Sequence, residues 1–155
     1  MPLVRISVSN TVSAERRKQI ADSIYDAMRS TLSIPEGDRF VVLTAHSQDE
    51  LIADPHFMKM QRTNDFLIVH VTLRKGRSTE IKQSFYKQVA QLLNERANVD
   101  PDNIMIVLSE NGLDDWSFGR GEAQYVLESA TADSNSVGTK IVTTLESWIL
   151  RQTKT

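Results

Sequence analysis

The feature that most constrains this chain is an internal repeat. Sliding the first half forward by about 65 positions lays Val4 on Val69, Ile6 on Val71, Ser13 on Ser78, Ile20 on Phe85, Ile24 on Val89, Met28 on Leu93 and Val41 on Ile106. One offset therefore aligns two strand patterns and one helix pattern. From Pro2 to Val8 the residues alternate, with Leu3, Arg5 and Ser7 on one face and Val4, Ile6 and Val8 on the other, the period of a half-buried strand. Ser13 then stands as a helix N-cap with Glu15 in the first turn, and Ile20, Ile24, Ala27 and Met28 recur at helical spacing. Ile34-Pro35-Glu36-Gly37 ends that helix, and Arg39 to Thr44 reads as a second strand. The second half repeats the order: a strand over Asp65–Leu73, a helix start at Ser78-Thr79-Glu80, an apolar stripe of Phe85, Val89, Leu92 and Leu93, and a strand over Asn103–Leu108.

Each helix is long enough to be a crossover, so each β-α-β unit has parallel strands. Two such units predict an α+β fold, an α/β sandwich with one four-stranded mixed sheet and both helices on one face. The other face then needs a cover, and self-association supplies one. The expected layout is one domain over residues 2–127: repeat one at 2–46, a polar connector at 47–64 with room for a short helical turn, repeat two at 65–108, and an aromatic segment at 109–127. Residues 128–155 read as an extension, with Ile141, Val142, Leu145, Trp148 and Ile149 marking a short amphipathic helix.

Composition narrows the function classes. The chain has 155 residues, of which 40% are apolar and 25% charged, enough for a real core and unlike a disordered chain. A net charge of −2 offers no basic surface for nucleic acid or an anionic membrane. Cysteine is absent, which removes disulfides, thiol nucleophiles and thiolate metal sites. No apolar run approaches the roughly 20 residues that span a bilayer, and the start lacks the basic region of a signal peptide. A soluble, cytoplasmic protein is expected. His46, His56 and His70 match no metal-ligand spacing, and Gly119-Arg120-Gly121 is too short for a phosphate loop, so neither metal nor cofactor is expected.

Four places carry the chemistry. Pro2 is small enough to permit removal of the initiator methionine, which leaves a secondary amine able to act as acid, base or nucleophile near neutral pH; many chains begin Met-Pro with no such role. Leu73-Arg74-Lys75-Gly76-Arg77-Ser78 lies between a strand and a helix, where Arg74 and Arg77 offer forked donors to a carboxylate, or form only a solvated basic turn. Asp38, in Pro35-Glu36-Gly37-Asp38-Arg39-Phe40, either orients water or an amine or is a plain turn aspartate. Trp116 and Phe118, in Asp115-Trp116-Ser117-Phe118-Gly119, either wall an apolar pocket or pack against the sheet edge.

Together these residues resemble the tautomerase superfamily, and within it the malonate semialdehyde decarboxylase group. The resemblance runs from Met1-Pro2-Leu3 through Pro35-Glu36-Gly37-Asp38-Arg39-Phe40 and Gly76-Arg77-Ser78 to Asp115-Trp116-Ser117-Phe118-Gly119-Arg120-Gly121, about residues 2–127. The Trp-Ser-Phe-Gly stretch is its most specific element, since short proline-initiated tautomerases lack it. The resemblance implies a tautomerase-like fold, a homotrimer and a cofactor-independent enzyme acting on small oxo acids. It assigns catalysis to Pro2, Arg77 and Asp38, and substrate contact to Arg74, Trp116 and Phe118: Pro2 as the acid–base or carbonyl-activating amine, Arg77 on the substrate carboxylate, Asp38 tuning Pro2 or placing water. Decarboxylase/hydratase activity with side tautomerase activity is the leading expectation. Phenylpyruvate-type keto–enol tautomerisation and a non-catalytic trimeric binding protein on the same fold are the alternatives.

Overall fold

A computed structural model describes residues 1–129. They form β1 (Pro2–Ser9), α1 (Ala14–Leu32), β2 (Val41–His46), β3 (Leu67–Arg74), α2 (Thr79–Ala97) and β4 (Ile104–Asn111), with single 3-10 turns at Phe57–Lys59 and Pro101–Asn103. The elements obey the repeat: β1 and β3 begin and end at equivalent positions, as do α1 and α2. Residues Met1–Asn111 make one compact unit, and a second begins at Gly112. The amphipathic helix expected around Trp148 lies outside the described residues.

The sheet order is β2-β1-β3-β4. Strands β1 and β2 are parallel, β3 and β4 are parallel, and the two repeats meet where β1 runs antiparallel to β3. In that central pairing Arg5 lies opposite His70, so a pair of repeat-equivalent residues marks the pseudo-twofold axis. Val4, Ile6 and Val8 of β1 and Val69, Val71 and Leu73 of β3 point to one face, where Ile20, Ile24 and Met28 of α1 and Phe85, Val89 and Leu93 of α2 cover them. The opposite face carries Val42, Met105 and Val107, all substantially exposed, beside Arg5 and His70.

Local chemistry sets the helix limits. The hydroxyl of Ser13 accepts from Arg16 N–H, and that of Ser78 accepts from Ile81 N–H. Ser33 and Asn98 end the helices in the left-handed region, at φ 55° and 49°. Each repeat also closes the other's helix. Arg16 Nε donates to the carbonyl of Ala97 at 2.7 Å, and Arg77 Nη2 reaches the equivalent carbonyl, Leu32, at 3.5 Å.

Several strand limits differ from the sequence-based expectation: β1, β2 and β3 run one or two residues further, to Ser9, His46 and Arg74, and Asn103 falls in the 3-10 turn before β4. Asp65 and Phe66 precede β3: Phe66 N–H closes a turn onto the Thr63 carbonyl at 3.1 Å, and the Asp65 carboxylate takes two 2.6 Å hydrogen bonds from Arg16. Arg39 and Phe40 precede β2, although the Phe40 carbonyl still accepts from Val4 N–H at 2.9 Å. Strand β4 runs past Leu108 to Asn111, whose carbonyl accepts from Lys75 N–H.

Candidate active site

Pro2 opens β1, buried and paired with Leu73 of β3. Arg74, the last residue of β3, follows Leu73 directly and is exposed on the face away from the helices. The chain's amino terminus thus meets the end of β3, where the arginine-bearing turn begins.

Asp38 is brought to the same place by the segment after α1. Its N–H closes a turn onto the Pro35 carbonyl at 3.3 Å. Gly37 sits at φ +83°, a conformation that suits glycine, and its N–H donates to the Tyr25 hydroxyl at 3.0 Å. Arg39 lies over the Tyr25 ring and pairs with Asp22, so the turn is anchored to α1 from two sides. The outcome is an Asp38 Oδ2 that lies 3.6 Å from the Met1 nitrogen, with the carboxylate side chain only 19% exposed. Its repeat equivalent shows what is special here. Asn103, buried, accepts from Thr63 N–H at 2.7 Å and donates to the Thr63 hydroxyl at 3.0 Å, tethering the chain ahead of β3. Repeat two uses an amide for tethering, where repeat one places a carboxylate beside the chain's amine.

The turn after β3 holds the arginines. Gly76 adopts φ +121°. Arg77 directs Nη1 to the Arg74 carbonyl at 2.8 Å and Nη2 toward Leu32, so part of its guanidinium is engaged by backbone. Sequence reasoning missed Glu110, which forms an ion pair with Lys82 of α2 at 2.7 Å. Lys82 first, then the N–H and charge of Arg77, outweigh desolvation and hold the Glu110 carboxyl below its usual range. Continuing the helix-facing series Ile104, Ile106, Leu108 by one step finds Glu110, but the polar run Ser109-Glu110-Asn111 hides that strand continuation.

In the second unit, Trp116 and Phe118 stack with ring centroids 5.6 Å apart, and Phe118 meets Tyr125 edge-on at 4.9 Å. Gln124 clasps this loop: it accepts from Phe118 N–H at 2.9 Å and donates to the Gly119 carbonyl at 2.8 Å. Tyr125 and Gln124 lie in the helical residues 124–129 and carried no signal in the sequence. The three histidines do not converge. His70 Nε2 instead shares a 2.8 Å hydrogen bond with the Ser109 hydroxyl on the open sheet face. Among the described residues no group of three His, Cys, Asp or Glu side chains is placed to hold a metal ion. None of the described helices is long and apolar enough to cross a membrane.

This geometry has close parallels among known proteins. The family described as tautomerase enzyme matches residues 38–119, a span that takes in Asp38, both arginines, Trp116 and Phe118. The chain belongs to the tautomerase enzyme family. Its similarity to the probable tautomerase YusQ of Bacillus subtilis (strain 168) is 30% identity over 126 residues, covering 81% of this chain and 99% of that protein. Among solved structures, this tautomerase-family chain resembles FG41 malonate semialdehyde decarboxylase inhibited by 3-bromopropiolate, at 38% identity and a TM-score of 0.77, covering 82% of this chain and 96% of that one. A second malonate semialdehyde decarboxylase, described with decarboxylase and hydratase activities, matches at 27% identity and a TM-score of 0.76, covering 82% and 98%. The α+β sandwich with its mixed sheet and two helices is therefore the tautomerase fold, as the repeat and the resemblance led one to expect.

Proposed function

We propose that this tautomerase-family protein is an amino-terminal-proline enzyme for small oxo carboxylic acids, chiefly a malonate semialdehyde decarboxylase-like decarboxylase/hydratase with side tautomerase activity. The observation that carries the reading is the 3.6 Å approach of the Asp38 carboxylate to the Met1 nitrogen, next to the Pro2–Leu73 pairing that leads to Arg74. Removal of Met1 leaves the Pro2 amine as the terminus in this neighbourhood. A carboxylate beside an amine favours its protonated form, which is the form that polarises a carbonyl.

The chemistry follows from that arrangement. A 3-oxo acid binds with its carboxylate on arginine and its carbonyl oxygen on the Pro2 ammonium. The bond between the carboxylate carbon and C2 breaks, and its electron pair moves into the enolate whose oxygen Pro2 stabilises. Carbon dioxide leaves, and C2 takes up a proton. Arg74 is the arginine with its side chain outside the backbone hydrogen bonds of the turn, so we assign it the first contact with the carboxylate. Arg77 shapes the turn and adds charge beside it. Trp116 and Phe118 supply an apolar wall, and Asp38 tunes Pro2 or places a water for hydration. No cofactor is required. We further propose a homotrimer in which copies cover the exposed Val42, Met105 and Val107 face.

Keto–enol tautomerisation of a phenylpyruvate-like acid is the second reading, favoured by the similarity to a probable tautomerase. The experiment that separates them is turnover of malonate semialdehyde against phenylenolpyruvate, with wild type and Pro2→Ala side by side. The proposal expects acetaldehyde and carbon dioxide as the main products, and a loss of orders of magnitude in Pro2→Ala. Faster enol-to-keto conversion supports the second reading. Turnover of neither substrate, or intact mass with Met1 retained, leaves a non-catalytic trimeric binding protein.

A further inference from the structure

Glu110 sits where three parts of the arginine site meet. It lies beside Leu73 in the β3–β4 ladder, and Leu73 lies beside Pro2 in the β1–β3 ladder, so the three share one row across the sheet. Its carboxylate binds the Lys82 ammonium in the first turn of α2 at 2.7 Å, with both side chains about three-quarters shielded (25% and 26% exposed). Arg77 lies close enough to help hold the same carboxyl below its usual range. One residue on, the Asn111 carbonyl accepts from Lys75 N–H at 2.9 Å. The end of β4 therefore holds the Arg74–Arg77 turn at the Lys75 amide, and α2 through Lys82.

We propose that Glu110 is a positioning residue, which holds the turn in the conformation that presents Arg74 to a substrate carboxylate. This rests on the assignment of Arg74 under the proposed function. Gly76, at φ +121° with open space around its Cα, gives the turn little backbone stiffness, so contacts from β4 and α2 add to the Arg77–Arg74 bond in holding it. The sign of the effect makes the idea testable. Glu110 is an anion near an anion site, and by charge alone its removal tightens carboxylate binding. Positioning demands the reverse.

The test is malonate binding by titration calorimetry to the full chain, for wild type, Glu110→Ala, Glu110→Asp and Glu110→Gln, with amide hydrogen exchange across residues 74–81. Glutamine keeps an acceptor for the Lys82 ammonium and discards the charge. Aspartate keeps the charge and draws the acceptor back by one methylene. Positioning predicts that Ala and Asp weaken malonate about tenfold and speed exchange in the turn, while Gln stays near wild type. A charge effect predicts that Ala and Gln bind more tightly and Asp is unchanged. That order, or unchanged exchange and affinity in both Ala and Asp, overturns the proposal. Should Glu110→Ala not fold, the Asp and Gln pair still separates the two orders. Wild type that fails to bind malonate, with Arg74→Ala no different, defeats the assignment of Arg74 itself and the proposal with it. Wild type that binds while all three variants match it defeats only the role of Glu110.

Discussion

The nitrogen of Met1 lies 3.6 Å from Oδ2 of Asp38, so a shielded carboxylate stands where the proposed loss of Met1 would uncover the Pro2 amine. The tie is built by Tyr25 and Gly37, neither of which has chemistry of its own. Asp38→Asn keeps the shape and removes the charge. We expect kcat/KM on a 3-oxo acid to fall by about two orders of magnitude, the scale of a displaced acid–base group, with the melting temperature little changed. A variant as fast as wild type removes Asp38 from the machinery.

The two arginines are predicted to fail in different ways. Arg74→Ala raises KM for the carboxylate substrate and leaves thermal stability near wild type, because Arg74 is exposed. Arg77→Ala removes donors from the Arg74 and Leu32 carbonyls and costs about 1–3 kcal/mol of stability as well as affinity. Steady-state kinetics and melting curves on the same preparations check the split. The reverse pattern reassigns the carboxylate contact to Arg77.

Acid sensitivity follows from two carboxyls held below their usual range. Glu110 is lowered first by Lys82, and Asp22 first by Lys18 and then by Arg39. Unfolded, such groups titrate near about 4.3 and 3.9. Their contribution is therefore complete above those values and lost as pH falls through the lower folded ones. Between about pH 5 and 3, the melting temperature of Glu110→Gln and Asp22→Asn is predicted to fall less steeply than that of wild type. Added salt should shrink the difference, since both pairs touch solvent. Equal slopes for all three proteins contradict it.

Core and cap positions test the fold itself. Phe85 is fully buried between α2 and the sheet, and Phe85→Ala should cost about 3–5 kcal/mol. Ser78→Ala removes the acceptor for Ile81 N–H and should cost about 1 kcal/mol. Denaturant unfolding reads both. A loss at Ser78 equal to that at Phe85 would show the cap holding more than one helical turn.

Much of this fold was legible because the chain states it twice. Ser13 and Ser78, or Ile20 and Phe85, confirm each other at one offset, and that fixed the helices and the central strands. What escaped depended on contacts distant in sequence. Nothing in Ser109-Glu110-Asn111 signals a strand; its pairing with Thr72, Leu73 and Arg74 makes it one. Asp65 fits the alternating pattern of β3, yet Arg16 draws its carboxylate away. Pro2, Asp38 and the arginines could be named from residue type and the resemblance. The proposed division between Arg74 and Arg77 could not, because it depends on where the last carbonyls of α1 fall.

The central claim is that Pro2 carries a free amine governed by Asp38. Its most direct test is a pH titration of the Pro2 nitrogen by ¹⁵N NMR in wild type and Asp38→Asn. The account predicts one titrating secondary amine, protonated at neutral pH in wild type and shifted to a lower pKa when the carboxylate is neutralised. An amine that titrates identically in both proteins, or a Pro2 nitrogen that does not titrate because Met1 is still attached, would contradict it.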